Sequence, residues 1–450
     1  MRTEVVIVGA GYAGLRTATR LRERGHDVVV LEARDRVGGR VRTDRSTGTA
    51  LDLGGMWVGA EHDRFRTLLG DTGTATYPTP EHGRSGWWDG DRGELRRARL
   101  VPGPWSALPG AALALARLDR AARRVPVGAP WDAPAAERLD AVTAEAWLRW
   151  IPGRAARDLV RASLVTSLSV ELSEVSMLTL LASIADAGGT LKLLGTEGAA
   201  QQDLVVGGAD GPARHLAEQL GERLRLDAPV ARISWHDGSP ATVSIDGGGE
   251  VVADAVVVAV PPPNVLGIRF DPALPGRRQQ LLQRMPMGSV VKLLAVYDRP
   301  FWRDAGWSGD VVDARGPVPL AFDATPPGGP AVLATLVCGR RGRELGRLDP
   351  DARREVILDA FARWFGPAAA SPRDVAQVCW DDEAWSGGAY SAIPTPGTTS
   401  TLLAGVADPV GPIHWAGTET ADRWGGFIEG AIRSGDRAAD EVAARLRSAG

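Results

Sequence analysis

Near the N-terminus, Gly9-Ala10-Gly11-Tyr12-Ala13-Gly14 sets three glycines in a G-x-G-x-x-G run, and Glu32 follows 18 residues after Gly14. Residues of these types at this spacing can bind a dinucleotide. Gly9 permits a tight turn, Gly11 lets a pyrophosphate come up to the backbone, and Gly14 lets a helix pack on a strand. Glu32 can accept a hydrogen bond from a ribose hydroxyl, and it repels a 2′-phosphate. A second turn follows at once in Ala33-Arg34-Asp35-Arg36-Val37-Gly38-Gly39-Arg40, where a glycine pair and arginines again suit an anion. Far along the chain stands Lys292. Among 52 basic residues the lysines are Lys192 and Lys292 alone. A lysine buried among apolar residues loses its proton more easily, which suits it to a reactive site. A structural lysine that snorkels to an edge is the plainer alternative. Lys192, after Gly188-Gly189, reads as a structural turn lysine.

These groups need elements to hold them. Residues 5–8 read as a short buried parallel strand, 15–23 as a helix and 28–31 as a second strand, the order of a βαβ unit. Lys292 lies in 289–297, apolar on both parities, which predicts a strand buried on both faces. Gly247-Gly248-Gly249 predicts a hairpin between 243–245 and 251–252. Gly425-Gly426 breaks the chain before a helix expected from near 428 to about 446, whose N-terminus offers a partial positive charge. Amphipathic runs at 111–124 and 139–150 predict helices, and a third is expected from near Ser173. A strand at 332–338 and a helix over 351–365 are expected in the later half.

The chain has 450 residues, about three domain-sized units. Its 44% hydrophobic and 24% charged residues are ordinary for a globular protein and exclude disorder. A net charge of −3 without a long basic run argues against nucleic acid or an anionic membrane as the main partner. Two cysteines, Cys338 and Cys379, exclude a disulfide scaffold and read as free buried thiols. No metal site is expected. No signal peptide fits before 5–8 and no apolar stretch of about 20 residues occurs, so a soluble cytoplasmic protein is expected.

The run Leu31 to Arg40 resembles the L-E-A-R-x-R-x-G-G-R of the flavin-containing amine oxidases, the monoamine oxidase superfamily. Later segments resemble the same family in the same order. Leu53-Gly54-Gly55-Met56-Trp57 is similar to its passage by the flavin ring. Val230 and Val260 stand on its strands beside the nucleotide, and Trp385-Ser386-Gly387-Gly388-Ala389-Tyr390 is similar to one cage wall. The stretches Ile413 to Thr420 and Trp424 to Ala431 are similar to its C-terminal flavin signature. The resemblance implies an α/β fold with a Rossmann-like FAD domain assembled from 1–77, 203–279 and 383–450. An α+β substrate domain would come from 78–202 and 280–382. It places Gly9, Gly11, Ala13, Gly14, Glu32, Ala33, Arg34, Gly39 and Arg40 on FAD. It adds Gly54, Gly55, Met56, Trp57, Val230, Val260, Trp385, Gly417, Glu419, Gly426, Phe427 and Ile428. Ala389 stands where mitochondrial members bond a cysteine to the flavin, so the FAD is expected to be non-covalent.

By the same resemblance Lys292 holds a water against flavin N5 and assists reoxidation, while Tyr390 and Phe427 are the aromatic cage. Phe427 departs from the commoner tyrosine. Leu168, Ser169 and Gln201 are expected in the substrate cavity. Glu61 either attracts an ammonium or is a solvated loop acid. The implied reaction moves hydride from the α-carbon of an amine to flavin N5, gives an imine and reduces O2 to H2O2. Amino acid oxidases of the superfamily carry an arginine just after Met56, where this chain has Trp57, so a simple amine is expected. No second G-x-G-x-x-G follows a strand, which disfavours an NADPH-using monooxygenase. A desaturase or oxidative cyclase of secondary metabolism, a non-catalytic flavin-binding protein and a homodimer stay open. The specificity segment 78–134 is unreadable from sequence.

Overall fold

The strand Arg2–Val8 is the axis of the first sheet, pairing in parallel with Val28–Leu31 on one side and Glu250–Val258 on the other. This structure, a computed structural model, describes residues 1–98, 103–236 and 238–449. The sheet order is Leu224–Arg225, Val28–Leu31, Arg2–Val8, Glu250–Val258, Ala241–Ile245, Val230–Ser234 and Arg269–Asp271. Ile413–Trp415 pairs in parallel with the last part of Glu250–Val258, beyond the reach of Ala241–Ile245. The parallel centre is buried on both faces, which is why its strands are runs of valine rather than alternating sequences. Val5, Ile7, Val28 and Val30 face the helices Tyr12–Glu23, Gly211–Leu220 and Ile428–Ala449. Val6, Val8, Val29 and Leu31 face a layer that includes Ile233, Trp235 and Trp415. Tyr12–Glu23 and Ile428–Ala449 approach closely at Gly435, where a Cβ would lie 2.6 Å from the Ala13 carbonyl oxygen.

The second sheet has the order Asp374–Cys379, Val290–Tyr297, Ala331–Cys338, Leu320–Asp323, Trp307–Val312, Arg84–Asp89 and Glu94–Arg97. Val290–Tyr297 is buried at every position. Its odd residues 291–297 pack against the helix Pro350–Phe365 through Ile357, Phe361 and Trp364. Its even residues Val290, Leu294 and Val296 face the helical layer, with Leu164, Leu168 and Leu178 in the same core. Lys292 shares that even parity, so its side chain leaves the sheet on the helical side. The α/β organisation and the hairpin at Gly247-Gly248-Gly249 follow the expectation.

Three helices differ. The first begins earlier, at Leu108–Ala122, because Pro109 opens its first turn without needing an N–H. The run at 139–150 is two short helices, Ala136–Asp140 and Ala144–Leu148, since Thr143 caps the second by accepting from Ala146 N at 3.2 Å. The helix expected from Ser173 starts at Met177–Ala187. Ser176 is its cap, accepting from Thr179 N at 3.1 Å, and Glu174 instead accepts from Glu171 N in the preceding turn. Residues 99–102 of the specificity segment lie outside the described residues. Both cysteines are free and buried. Among the described residues no helix is long and apolar enough to cross a membrane.

Candidate active site

Arg2–Val8 runs out at Gly9, whose φ of +102° suits glycine alone. Gly11 precedes Tyr12–Glu23 with no side-chain cap, so first-turn N–H groups stay open to an anion. Gly14 is forced, because a Cβ would come to 1.9 Å from the Gly9 carbonyl oxygen. The second glycine turn lies on the first: Gly38 N donates to Ala10 O at 2.9 Å, and a Cβ on Gly39 would lie 3.2 Å from Gly11 Cα. Glu32 braces both, accepting from Ala10 N at 2.6 Å and Arg34 N at 3.0 Å. Arg36 donates to the carbonyls of Val37, Gly39 and Val41, a role the sequence did not signal. Burial and the neighbouring Arg34 push its pKa down to about 10.

A cavity of about 1250 Å³ starts at these turns and runs to the second sheet. Of the residues expected from the sequence to hold the cofactor, react or line the substrate cavity, all but four lie on its wall: the exceptions are Gly14, Glu419, Ser169 and Glu61. Gly14 sits under the turn, where its role is packing. Glu419 is behind Arg40, accepting from Nη1 at 2.5 Å and Nη2 at 3.1 Å, and from Ala392 N at 3.0 Å. Burial opposes its ionisation, but Arg40 brings its pKa below the usual value. Ser169 backs the wall instead of facing in: its Oγ accepts from Tyr390 N at 2.9 Å. Glu61 is not a free attractor: it is a partly exposed loop acid that pairs with both Lys192 and Arg423. Lys192 is thus the partner of Glu61 on the short helix Thr190–Leu194.

Lys292 is 1% exposed. Its Nζ donates to Gly54 O at 2.9 Å, lies 3.0 Å from Met56 Sδ and 6.0 Å from the Trp57 ring centroid. Burial lowers its pKa to about 8, with Asp52 opposing. Asp52 is itself pushed up to about 6 by burial, against the pull of Thr43 and Lys292. It accepts from Thr43 Oγ1 at 2.6 Å and from Ala209 N at 3.0 Å.

The two cage residues are held differently. Tyr390 is tied at three points: Ser169 on its N–H, Arg40 Nη1 on its carbonyl at 3.0 Å, and Cys338 Sγ 3.3 Å from its hydroxyl. Phe427 has no hydroxyl to tie. His62 and Trp424 pack edge-on against it, each with ring centroids 5.3 Å away, and lie 4.6 Å from each other. His62 is fully buried and its Nδ1 accepts from Gly59 N at 2.8 Å. Burial, with Arg66 nearby, lowers its pKa to about 3, so the ring is neutral. Trp424 opens the stretch that resembles the flavin signature and Cys338 was expected as a buried thiol, but the sequence assigned neither them nor His62 to the cage.

The cavity exceeds the roughly 300–1,000 Å³ usual for one small ligand, so a dinucleotide and a small substrate can share it. Open backbone N–H groups at one end, and the buried Nε1 atoms of Trp57 and Trp424, which have no partner among the described residues, fit that reading. The family model for flavin containing amine oxidoreductases matches residues 12–443. The chain belongs to that family. It is 41% identical over 451 residues to a Mycobacterium tuberculosis protein that carries the name flavin-containing monoamine oxidase, covering 98% of this chain and 97% of the other. Amine oxidase B of Sus scrofa is 33% identical over 98% of this chain and 86% of its own length. Among solved structures, a putrescine oxidase bound to putrescine superposes with a TM-score of 0.93 at 33% identity, covering 99% of this chain and 100% of that one. Cyclohexylamine oxidase from Brevibacterium oxydans gives 0.93 at 32% identity, with 99% of each chain covered. The family sets the activity: an FAD-dependent oxidoreductase that acts on amines, on a two-domain monoamine oxidase-like α/β fold.

Proposed function

We propose that the chain is a peroxide-forming oxidase of neutral amines that holds its FAD without a covalent link. The observation that carries this is the single cavity joining the glycine turns to Lys292, Tyr390 and Phe427. Bound FAD supplies a ring that takes hydride from the carbon next to the amine nitrogen and is reoxidised by oxygen.

The protein supplies the rest. The open N–H groups after Gly11 receive the pyrophosphate, and Glu32 meets the ribose. Arg40, fixed by Glu419, faces the phosphates from the second turn. Ile428 begins a 22-residue helix whose positive end faces the cavity and favours negative charge on the ring. Tyr390 and Phe427 guide the amine nitrogen between their faces and limit its angle of approach. Leu168 and Gln201 line the substrate end, with Ser169 acting through Tyr390. Lys292 holds a water next to the reacting atoms and aids reoxidation by oxygen. The amine must arrive deprotonated, so no residue is assigned the role of a strong base. Ala389 offers no nucleophile for a flavin bond.

The test is a peroxide-coupled panel of amines on FAD-loaded protein, with Lys292→Met in parallel. Peroxide from simple amines, and slowed reoxidation in the variant, are expected. An imine-free desaturation product without peroxide contradicts the oxidase reading. Flavin that stays on the polypeptide after acid precipitation contradicts the non-covalent one.

A further inference from the structure

We propose that Asp310 binds a second cationic group of the amine substrate, so that the enzyme prefers long α,ω-diamines to monoamines of equal length. The proposal rests on the amine-oxidase reading and adds the far end of the substrate.

The register of the second sheet lays out the distance. Lys292 pairs with Leu336, Phe322 with Ala334, and Val311 with Ala321, which sets Asp310 opposite Phe322. Residues directly opposite share a face, as do residues two apart. Lys292, Leu336, Phe322 and Asp310 therefore lie on one face of the sheet, and all four line the cavity. Asp310 is three strands from Lys292, roughly 14 Å across the sheet at about 4.8 Å per strand. The wall between them is apolar, with Leu320 and Val312 joining Leu336 and Phe322. An alkyl chain fits that wall, and a carboxylate at its end invites a cation.

Asp310 lies deep in the chain, and the surface it keeps faces the cavity. Its Oδ2 accepts from Ser308 Oγ at 2.9 Å. Its Oδ1 has no hydrogen-bond partner, and no cation pairs with it, among the described residues. The other acids on the wall are placed differently. Glu32 accepts from two backbone N–H groups. Asp186 has Arg423 and the N–H groups of Gly128 and Gly425 nearby, which favour its charged form against burial. Glu81, near Asp310, accepts from the Thr196 hydroxyl and adds negative charge at this end. Burial pushes the Asp310 carboxyl up to about 7, helped by Glu81 and Asp323, so its ionisation is costly until a cation arrives. A metal is not that cation, because no group of metal-ligating side chains occurs among the described residues.

The experiment measures kcat/KM on the FAD-loaded enzyme for α,ω-diamines of increasing length, against n-alkylamines and amino alcohols of matched length. It is repeated with Asp310→Asn. Wild type is expected to favour the diamine by about 10- to 100-fold, the range of a hydrogen bond to a charged group. The best length should fall at roughly six to nine methylene groups, after side-chain reach is taken from the sheet distance. Asp310→Asn should erase the preference and leave alkylamine kcat/KM within about threefold, which also reports that the variant is folded. Alkylamine oxidation by wild type without any diamine preference overturns the proposal, with no variant needed. So does a preference that survives in Asp310→Asn, or an amino alcohol that does as well as the diamine. If no amine of any kind is oxidised, the oxidase reading falls and this inference with it.

Discussion

The two ends of the cavity are built on different principles. At the nucleotide end the walls are backbone: Gly9, Gly11, Gly38 and Gly39 come within van der Waals contact because side chains are missing. At the amine end the walls are side chains from strands far apart in sequence, with Lys292, Leu336, Phe322 and Asp310 brought together only by sheet register. At the first end an added Cβ would press on backbone at Gly9, Gly14 and Gly38. The second is built from side chains, each of which bears on the substrate or the reaction.

The largest effect is expected where an atom is added to the tight end. Gly14→Val would drive a Cβ to within 1.9 Å of Gly9 O and force strand and helix apart. Overpacking of this kind costs about 1–3 kcal/mol or more, and the turn is displaced as well. FAD retained after dialysis and the urea midpoint should both fall; retention of full FAD would show that the turn is looser than its geometry.

Next is Glu419→Ala, which strips the partner from Arg40 at the border between the ends. Breaking a buried pair costs about 3–5 kcal/mol, and Tyr390 loses its brace because Arg40 also holds its carbonyl. The sign with pH follows from Glu419 having a folded pKa below its ordinary value. Its contribution is complete above that ordinary value and is lost as pH falls through the folded one. Urea titrations in the neutral and acid ranges should show an acid limb that is shallower in Glu419→Gln.

At the amine end, Lys292→Met should slow flavin reoxidation by oxygen at least about tenfold, the scale of one well-placed charge. The lysine is cationic below about 8, so wild-type reoxidation should fall as pH rises through that value and the variant should be flat. Stability slopes the other way. The unfolded lysine holds its proton up to 10.5, so stability should rise with pH from about 8 to 10.5, and Lys292→Met should remove the rise. A reoxidation profile unchanged in the variant would take this role from the lysine.

The smallest change expected is in Cys338→Ala, which frees the Tyr390 hydroxyl from a weak thiol partner. Since Ser169 and Arg40 still hold Tyr390, KM should rise by less than about threefold with kcat steady. A large fall in kcat would mean that the thiol, not the backbone, sets the ring.

The same contrast explains what was legible in the sequence. The nucleotide end is local: strand, glycines, helix and acid lie within 32 residues, and each residue type follows from backbone geometry. The strand of Lys292 was legible from its apolar parity. The helix starts at Leu108 and Met177 were missed because a proline and a serine cap set them, not the apolar period. The contacts of Asp52 with Ala209 and of Cys338 with Tyr390 were not legible because those partners lie 157 and 52 residues away. Glu61 shows the reverse: an exposed-looking loop acid is tied to Lys192 and Arg423, 131 and 362 residues distant.

An anaerobic titration of FAD-loaded protein with an alkylamine, followed by the flavin's visible absorbance, tests the joining of the two ends in one step. The shared cavity predicts that bound FAD bleaches on amine addition and recovers its colour when oxygen is admitted. Protein that binds FAD yet keeps its full colour with every amine offered would contradict it.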